Sequence, residues 1–169
     1  MARAPPHPGQ AIVPGVSNSV STRRRSMTAP VGIRSGPSAG AKLLLMATGT
    51  VASTAKEVID AWRRRGRRVG LVRPRLFRPF PAEELRAACR GARRLAVIDR
   101  NNSFGSGGIF ATESRAALYD LPERARPEVL SYVAGLGGRD ITPEVIDRVL
   151  SAAWAGRAEP RGTWVDLKP

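Results

Sequence analysis

Few side chains in this 169-residue sequence could carry chemistry. The most suggestive stretch is Gly105-Ser106-Gly107-Gly108, which falls between a strand-like and a helix-like segment. Glycines at such a junction let the backbone approach an anion closely and leave N–H groups to face it. The same glycines also give a tight strand-to-helix turn its positive φ. The spacing is neither G-x-G-x-x-G nor a phosphate loop ending in Gly-Lys-Ser/Thr. Turn geometry or a subunit contact is therefore favoured over capture of a nucleotide or CoA phosphate, and the second reading stays as the alternative. Gly49 and Thr50 follow the first strand and are candidates of the same kind. In Gly135 to Asp140, Gly137 and Gly138 make the turn, while Arg139 and Asp140 pair locally or across an interface.

Nucleophilic and acid–base chemistry have little support. Cys89, the only cysteine, falls on the apolar side of a helix with Leu85 and Ala88, which reads as a buried structural thiol. The only histidine, His7, lies in a Pro-rich stretch, so none is at hand to activate a Ser or Cys. Asp99 ends a strand, where acids often act, but no second acid is near it in sequence; capping the following loop is the simpler role. One Cys and one His exclude a disulfide within the chain and a Cys-built zinc or iron–sulfur site. No apolar run approaches the ~20 residues of a membrane-spanning helix.

The formal charge of +14 comes from 28 basic and 14 acidic residues. All but Lys42, Lys56 and Lys168 of the basic residues are Arg, in a chain rich in Ala, Gly and Pro, as GC-rich coding produces. Nucleic-acid binding needs a basic face and is helped by exposed aromatics. The few aromatics here lie mostly within apolar patterns, so nucleic acid is not the favoured partner. Arg63 to Arg68 read as a solvated helix C-terminus, where the helix dipole favours cations. Arg75 and Arg78, beside Phe80 at the end of the second strand, are candidate partner contacts, because open α/β sheets bind along that edge. Arg139 and Asp140 join them.

The elements that must position these residues begin after residue 40. Residues 1–40 hold six prolines, five arginines and no acid, and read as a disordered basic leader. A transit peptide has similar composition, but the clustering of Arg23, Arg24 and Arg25 speaks for a linker remnant or an early start codon. From Lys42 onward, strand and helix patterns alternate. Strands are predicted near Lys42–Thr48, Val69–Val72, Arg94–Asp99 and Val129–Ala134. Helices are predicted at Val51–Arg65, from Pro81 to near Gly91, at Ile109–Tyr119, and from Pro143 to about Ala155 with Thr142 as N-cap. Thr163–Lys168 could add an edge strand. Trp62, Trp154 and Trp164 read as packing anchors. The expected fold is α/β: an open, mostly parallel sheet with helices on both faces and strand order 2-1-3-4, its switch point between the first and third strands.

Several ordered blocks carry a resemblance to a known family. They are Ala47-Thr-Gly-Thr-Val-Ala-Ser-Thr-Ala-Lys-Glu-Val58, Val69-Gly-Leu-Val-Arg-Pro-Arg-Leu-Phe-Arg-Pro-Phe-Pro81 with Ala82-Glu-Glu-Leu85, Val97-Ile-Asp-Arg-Asn101 with Gly105–Gly108, and Ala134-Gly-Leu-Gly-Gly-Arg-Asp-Ile-Thr-Pro-Glu144. Together residues 41–169 resemble the C-terminal, transketolase C-terminal-like domain of the α subunit of pyruvate:ferredoxin oxidoreductase and other 2-oxoacid:ferredoxin oxidoreductases. The resemblance implies a non-catalytic part of an enzyme complex that makes acyl-CoA. Thiamine diphosphate, Mg and iron–sulfur clusters are then expected on partner chains or domains and none on this chain. No catalytic residue of the family carries over. The implied partners are the complex's other subunits, in the cytoplasm and away from membranes. Because residues 1–40 show no resemblance, the chain reads as a split subunit or the product of a truncated gene.

Overall fold

The computed structural model describes residues 33–35, 40–159 and 162–166. Six strands form one sheet: β1 (Ile33–Ser35), β2 (Leu43–Met46), β3 (Val69–Pro74), β4 (Arg94–Asp99), β5 (Glu128–Val133) and β6 (Thr163–Trp164), in the order β1-β3-β2-β4-β5-β6. The four expected strands are β2 to β5, all parallel, and they lie in the expected 2-1-3-4 order. The tail adds β6, parallel to β5.

One expectation changes. The leader, expected to lack regular structure up to residue 40, contributes β1, which runs antiparallel to β3 with Ile33 opposite Pro74 and Ser35 opposite Val72. The outer edge of β3 would otherwise leave a row of backbone N–H and C=O groups unpaired, and a short extended segment satisfies them. The rest of the expected leader, 1–32 and 36–39, lies outside the described residues.

The continuous apolar runs follow from burial on both sheet faces. In β2, Leu43 and Leu45 enter one core and Leu44 and Met46 the other; in β4, Ala96 and Ile98 oppose Leu95 and Val97 in the same way. Helices α1 (Gly49–Arg64) and α4 (Pro143–Trp154) close the first core. Helices α2 (Ala82–Ala88) and α3 (Ile109–Tyr119) close the second. The apolar stripe of α1, Val51, Ala55, Val58, Ile59 and Trp62, is wholly buried. Trp62 also donates from Nε1 to Asp147 Oδ1 at 2.6 Å, which ties α1 to α4. Thr142 caps α4 by accepting from the Val145 amide, with Pro143 in the first turn.

Two smaller corrections concern element ends. Helix α2 stops at Ala88 rather than near Gly91, and Cys89 takes its C-cap position. That thiol is fully buried, and burial pushes its pKa up to about 12. Trp62 is buried and Trp154 half-buried, but Trp164 is 43% exposed and is no packing anchor. Its strand is only two residues long and sits at the open edge of the sheet.

Candidate functional site

The candidate residues gather at the carboxyl edge of the parallel strands, where open α/β sheets place their sites. Asp99 organises the centre of that edge. It ends β4 and is 1% exposed, yet both carboxylate oxygens have backbone donors. Oδ1 accepts from the Phe110 amide at 2.9 Å and Oδ2 from the Ala111 amide at 3.0 Å. Asn101 Oδ1 accepts from the Ile109 amide at 2.9 Å. Burial pushes the Asp99 carboxyl above its ordinary pKa, against the opposing pull of these two amides, Asn101 and Arg115. The capping role read from sequence is the one the structure gives this acid.

This arrangement decides what the Gly-rich loop can do. The Ser106 and Gly107 amides both donate to the Ser103 carbonyl at 2.9 Å, and the Ser103 amide donates to the Gly107 carbonyl at 2.8 Å. With Ile109, Phe110 and Ala111 held by Asn101 and Asp99, the Ser106, Gly107, Ile109, Phe110 and Ala111 amides are already used inside the chain. Gly105 and Gly107 hold φ of 82° and 83°, as the turn reading requires. Gly108 is needed for another reason. Its φ of −65° suits any residue, but a Cβ there would stand 2.1 Å from Asp99 Oδ2. Between these glycines and β4, Phe104 projects into solvent with 98% exposure.

Gly49 and Thr50, expected in a loop, form the first turn of α1 instead. Gly49 enters that turn at φ 56°, a conformation open to glycine. Thr48 stands at the N-cap without a side-chain hydrogen bond, so α1 has no counterpart of the Asp99 clamp. Arg73 from β3 braces this turn by donating from Nη2 to the Gly49 carbonyl at 3.1 Å.

The candidate contacts fall into two groups. Arg78 pairs with Glu113 of α3 at 2.7 Å and lies over the Phe77 ring at 4.1 Å. Phe77 in turn meets Phe80 edge-on at 6.4 Å and Phe110 at 5.0 Å. Arg78 and Phe80 therefore belong to a cluster that fixes the β3–α2 connection onto α3. Arg75 beside it is exposed and has no side-chain partner among the described residues. The second group follows β5. Arg139 donates to the Asp166 carbonyl, and Asp140 is exposed rather than paired with it. Two strands, β2 and β4, separate the groups in the sheet, a spacing of roughly 14 Å. The structure does not bring them into one site.

A cavity of about 340 Å³ lies at the second group, lined by Val133, Gly135, Leu136, Arg139, Trp164 and Asp166 among others. Sequence reasoning placed the ligand crevice at the switch point and did not predict this hollow further out along the edge. Its legible signals were the Gly135–Asp140 loop, already singled out with Arg139, and the strand-like Thr163-Trp164 pair, which builds the far wall.

Among the described residues, no group of three or more His, Cys, Asp or Glu side chains could hold a metal ion. The lone cysteine is sealed in the core. With a single, buried cysteine, the residues present do not fit a Cys-ligated iron–sulfur cluster. No helix among the described residues is long and apolar enough to cross a membrane.

Comparison with known proteins gives this edge its context. Residues 41–146 match the family described as pyruvate:ferredoxin oxidoreductase core domain II. The chain is 44% identical over 128 residues to pyruvate synthase subunit PorA of Methanothermobacter thermautotrophicus, covering 76% of this chain and 31% of the relative. It is 39% identical over 132 residues to ketoisovalerate oxidoreductase subunit VorA of Pyrococcus furiosus, covering 76% and 33% respectively. The chain thus spans about a third of the length of the curated relatives it matches. A solved 2-oxoglutarate:ferredoxin oxidoreductase from Magnetococcus marinus, with 2-oxoglutarate, coenzyme A and succinyl-CoA bound, shares the fold. The TM-score is 0.52 at 19% identity, over 71% of this chain and 19% of that one. The match over residues 41–146, more than half of the chain, leads to one assignment: the chain belongs to the pyruvate:ferredoxin oxidoreductase core domain II family.

Proposed function

We propose that this chain is a non-catalytic domain or split subunit of a 2-oxoacid:ferredoxin oxidoreductase, and that it supports assembly of the acyl-CoA-forming enzyme in the cytoplasm. The observation that carries this reading is the alignment of 76% of the chain with an α-type PorA subunit at 44% identity. The chemistry of the residues supports a non-catalytic role. The buried acid at the candidate edge, Asp99, is engaged in capping a helix, and the one thiol is inert in the core. In this reading the thiamine diphosphate, Mg and clusters of the complex are held by its other chains. Arg75, Arg78, Phe80, Arg139 and Asp140 then serve as contacts with those chains: Arg75 and Asp140 directly, Arg139 by holding the segment at Asp166, and Arg78 and Phe80 by shaping the β3–α2 connection.

The test is purification of the tagged, full-length chain from its own host under mild conditions. Recovery with chains that carry thiamine diphosphate and iron–sulfur clusters is expected. Recovery as a lone monomer, in cells where such an oxidoreductase is present, overturns the proposal.

A further inference from the structure

The cations of this domain are not spread evenly. At the carboxyl edge most arginines hold an atom of their own chain: Arg73 the Gly49 carbonyl, Arg78 Glu113, Arg139 the Asp166 carbonyl and Arg148 Asp166. The opposite, amino edge differs. There Lys42, Arg64, Arg65, Arg68, Arg90 and Arg93 are exposed and have no side-chain hydrogen bond or ion pair among the described residues.

These residues are also neighbours. The Lys42 amide donates to the Arg68 carbonyl at 2.7 Å, and the Arg93 amide to the Lys42 carbonyl at 2.9 Å, so three cations stand side by side at the starts of β3, β2 and β4. Arg64 ends α1 and Arg65 caps it just before β3, and Arg90 lies in the turn after α2. Between Lys42 and Arg93 opens a cavity of about 190 Å³, closed by Leu43, Arg94 and Trp154. Arg94, on its wall, is already engaged by Glu128 at 2.9 Å and the Trp154 carbonyl at 2.8 Å. GC-rich coding raises the number of arginines everywhere, but it does not press Lys42, Arg68 and Arg93 together, free of own-chain partners among the described residues, on one edge.

We infer that the amino edge of the sheet is a docking surface for a carboxylate-rich face of another protein chain, with the Lys42–Arg93 cavity receiving one acidic side chain. Charge complementarity names the partner's chemistry. The guanidinium fork matches a carboxylate in two parallel hydrogen bonds, and unpaired cations pressed together on one face gain most from an acidic partner. The aromatic content separates this partner from single-stranded nucleic acid, which binds by stacking. The one aromatic residue at the cavity, Trp154, is covered by Arg67 at 5.1 Å and packs on Trp62 at 6.0 Å, so it offers no open face for a base. The inference rests on charge placement and not on the assembly reading above, and its test needs no other subunit.

The experiment measures binding of the full-length chain to poly-L-glutamate and to a short duplex DNA at low salt. The amino-edge variant Arg64→Glu/Arg93→Glu is compared with Lys56→Glu/Arg100→Glu, which makes an equal change in net charge elsewhere. Expected are capture of poly-L-glutamate that weakens with salt, a loss of roughly tenfold or more in the amino-edge variant, and less than about threefold in the control. Arg64→Gln/Arg93→Gln, with its fold checked by circular dichroism, gives the same ranking if charge reversal unfolds the chain. Equal losses in both variants, no capture of poly-L-glutamate, or tighter binding to the DNA with the same loss on amino-edge reversal overturn the inference.

Discussion

The two edges of this sheet use the same residue types for opposite ends. At the carboxyl edge, charge is turned inward. Asp99 holds the first turn of α3, Arg73 braces the first turn of α1, and Arg78 and Arg148 have acidic partners. At the amino edge Arg94 does comparable work, by tying β4 to Glu128 and to the end of α4, and so do Arg86, on Asp120 and the Ala117 carbonyl, and Arg126, on the Tyr119 and Leu121 carbonyls. Lys42, Arg64, Arg65, Arg68, Arg90 and Arg93 face water. Charge turned inward fixes local structure, whereas charge left outward is available to a partner. The difference teaches that a net charge of +14 says little until each cation has been placed. It also ranks substitutions: those of groups held by their own chain should act on stability, and those of the unpaired amino-edge cations on binding.

The largest effect is expected at Gly108. Alanine there sets a Cβ against the Asp99 carboxylate, 2.1 Å from Oδ2 and 2.7 Å from the Asp99 Cβ. Neither atom can give way without breaking the clamp on α3. Gly108→Ala should cost about 3 kcal/mol, measured by urea denaturation. Gly105→Ala sharpens the point. That position has open space but a φ of 82°, so the cost should be about 1 kcal/mol. Equal costs at the two sites would break the distinction between close approach and backbone conformation.

Next comes Asp99 itself. Asp99→Ala strips the buried Ala111 amide and the partly buried Phe110 amide of their acceptor and should cost about 2 kcal/mol. The pH dependence has a definite sign. Burial raises the folded-state pKa above the unfolded value, so this group's contribution is full below the unfolded pKa and is lost as pH rises through the folded one. The difference in unfolding free energy between the native chain and Asp99→Asn should therefore fall as pH rises from about 4 toward neutrality. A difference that grows over that window would show that the amides outweigh burial.

Much of this was legible in the sequence because it depends on period and punctuation. The runs Leu43–Met46 and Arg94–Asp99, the helical stripe from Val51 to Trp62 and the Thr142-Pro143 helix start are local signals, and each appears where its pattern places it. What escaped depends on atoms distant in sequence. That Gly108 is required by Asp99, nine positions earlier, follows only once β4 and α3 are packed together. The cavity at Arg139 needs Trp164 and Asp166 brought alongside β5 by a two-residue strand too short to read with confidence from its pattern. The grouping of free cations at the amino edge was invisible for the same reason. Lys42, Arg68 and Arg93 are far apart in the chain and become neighbours only through the parallel register.

Arg94 and Arg78 test whether pairing or edge decides the effect. Arg94 is about a quarter exposed, and besides Glu128 it donates to a backbone carbonyl at the end of α4. Arg94→Ala should cost about 1 kcal/mol, the ion pair discounted for solvent and the backbone bond retained in the sum. Arg78 is 60% exposed and its partner Glu113 30%, so Arg78→Ala should cost only about 0.5 kcal/mol. Both values are read from thermal unfolding. If the amino-edge Arg94 proved the weaker of the two, the edges would differ in position but not in how their cations are used.

The smallest effect is expected where the cations are unpaired. Arg64 and Arg90 are exposed, and neither has a side-chain partner among the described residues. Removing either takes away no contact and relieves some repulsion from Arg65, Arg68 or Arg93. Arg64→Ala and Arg90→Ala should therefore change stability by no more than about 0.5 kcal/mol, on the stabilising side at low salt. The difference from the native chain should shrink as salt screens the like charges, since exposed charges a Debye length of about 8 Å apart interact little at physiological ionic strength. A clear loss of stability in Arg64→Ala, persisting at high salt, would mean that this arginine already has a structural partner. The amino edge would then be fixed by its own chain, as the carboxyl edge is, with fewer cations left to meet another protein.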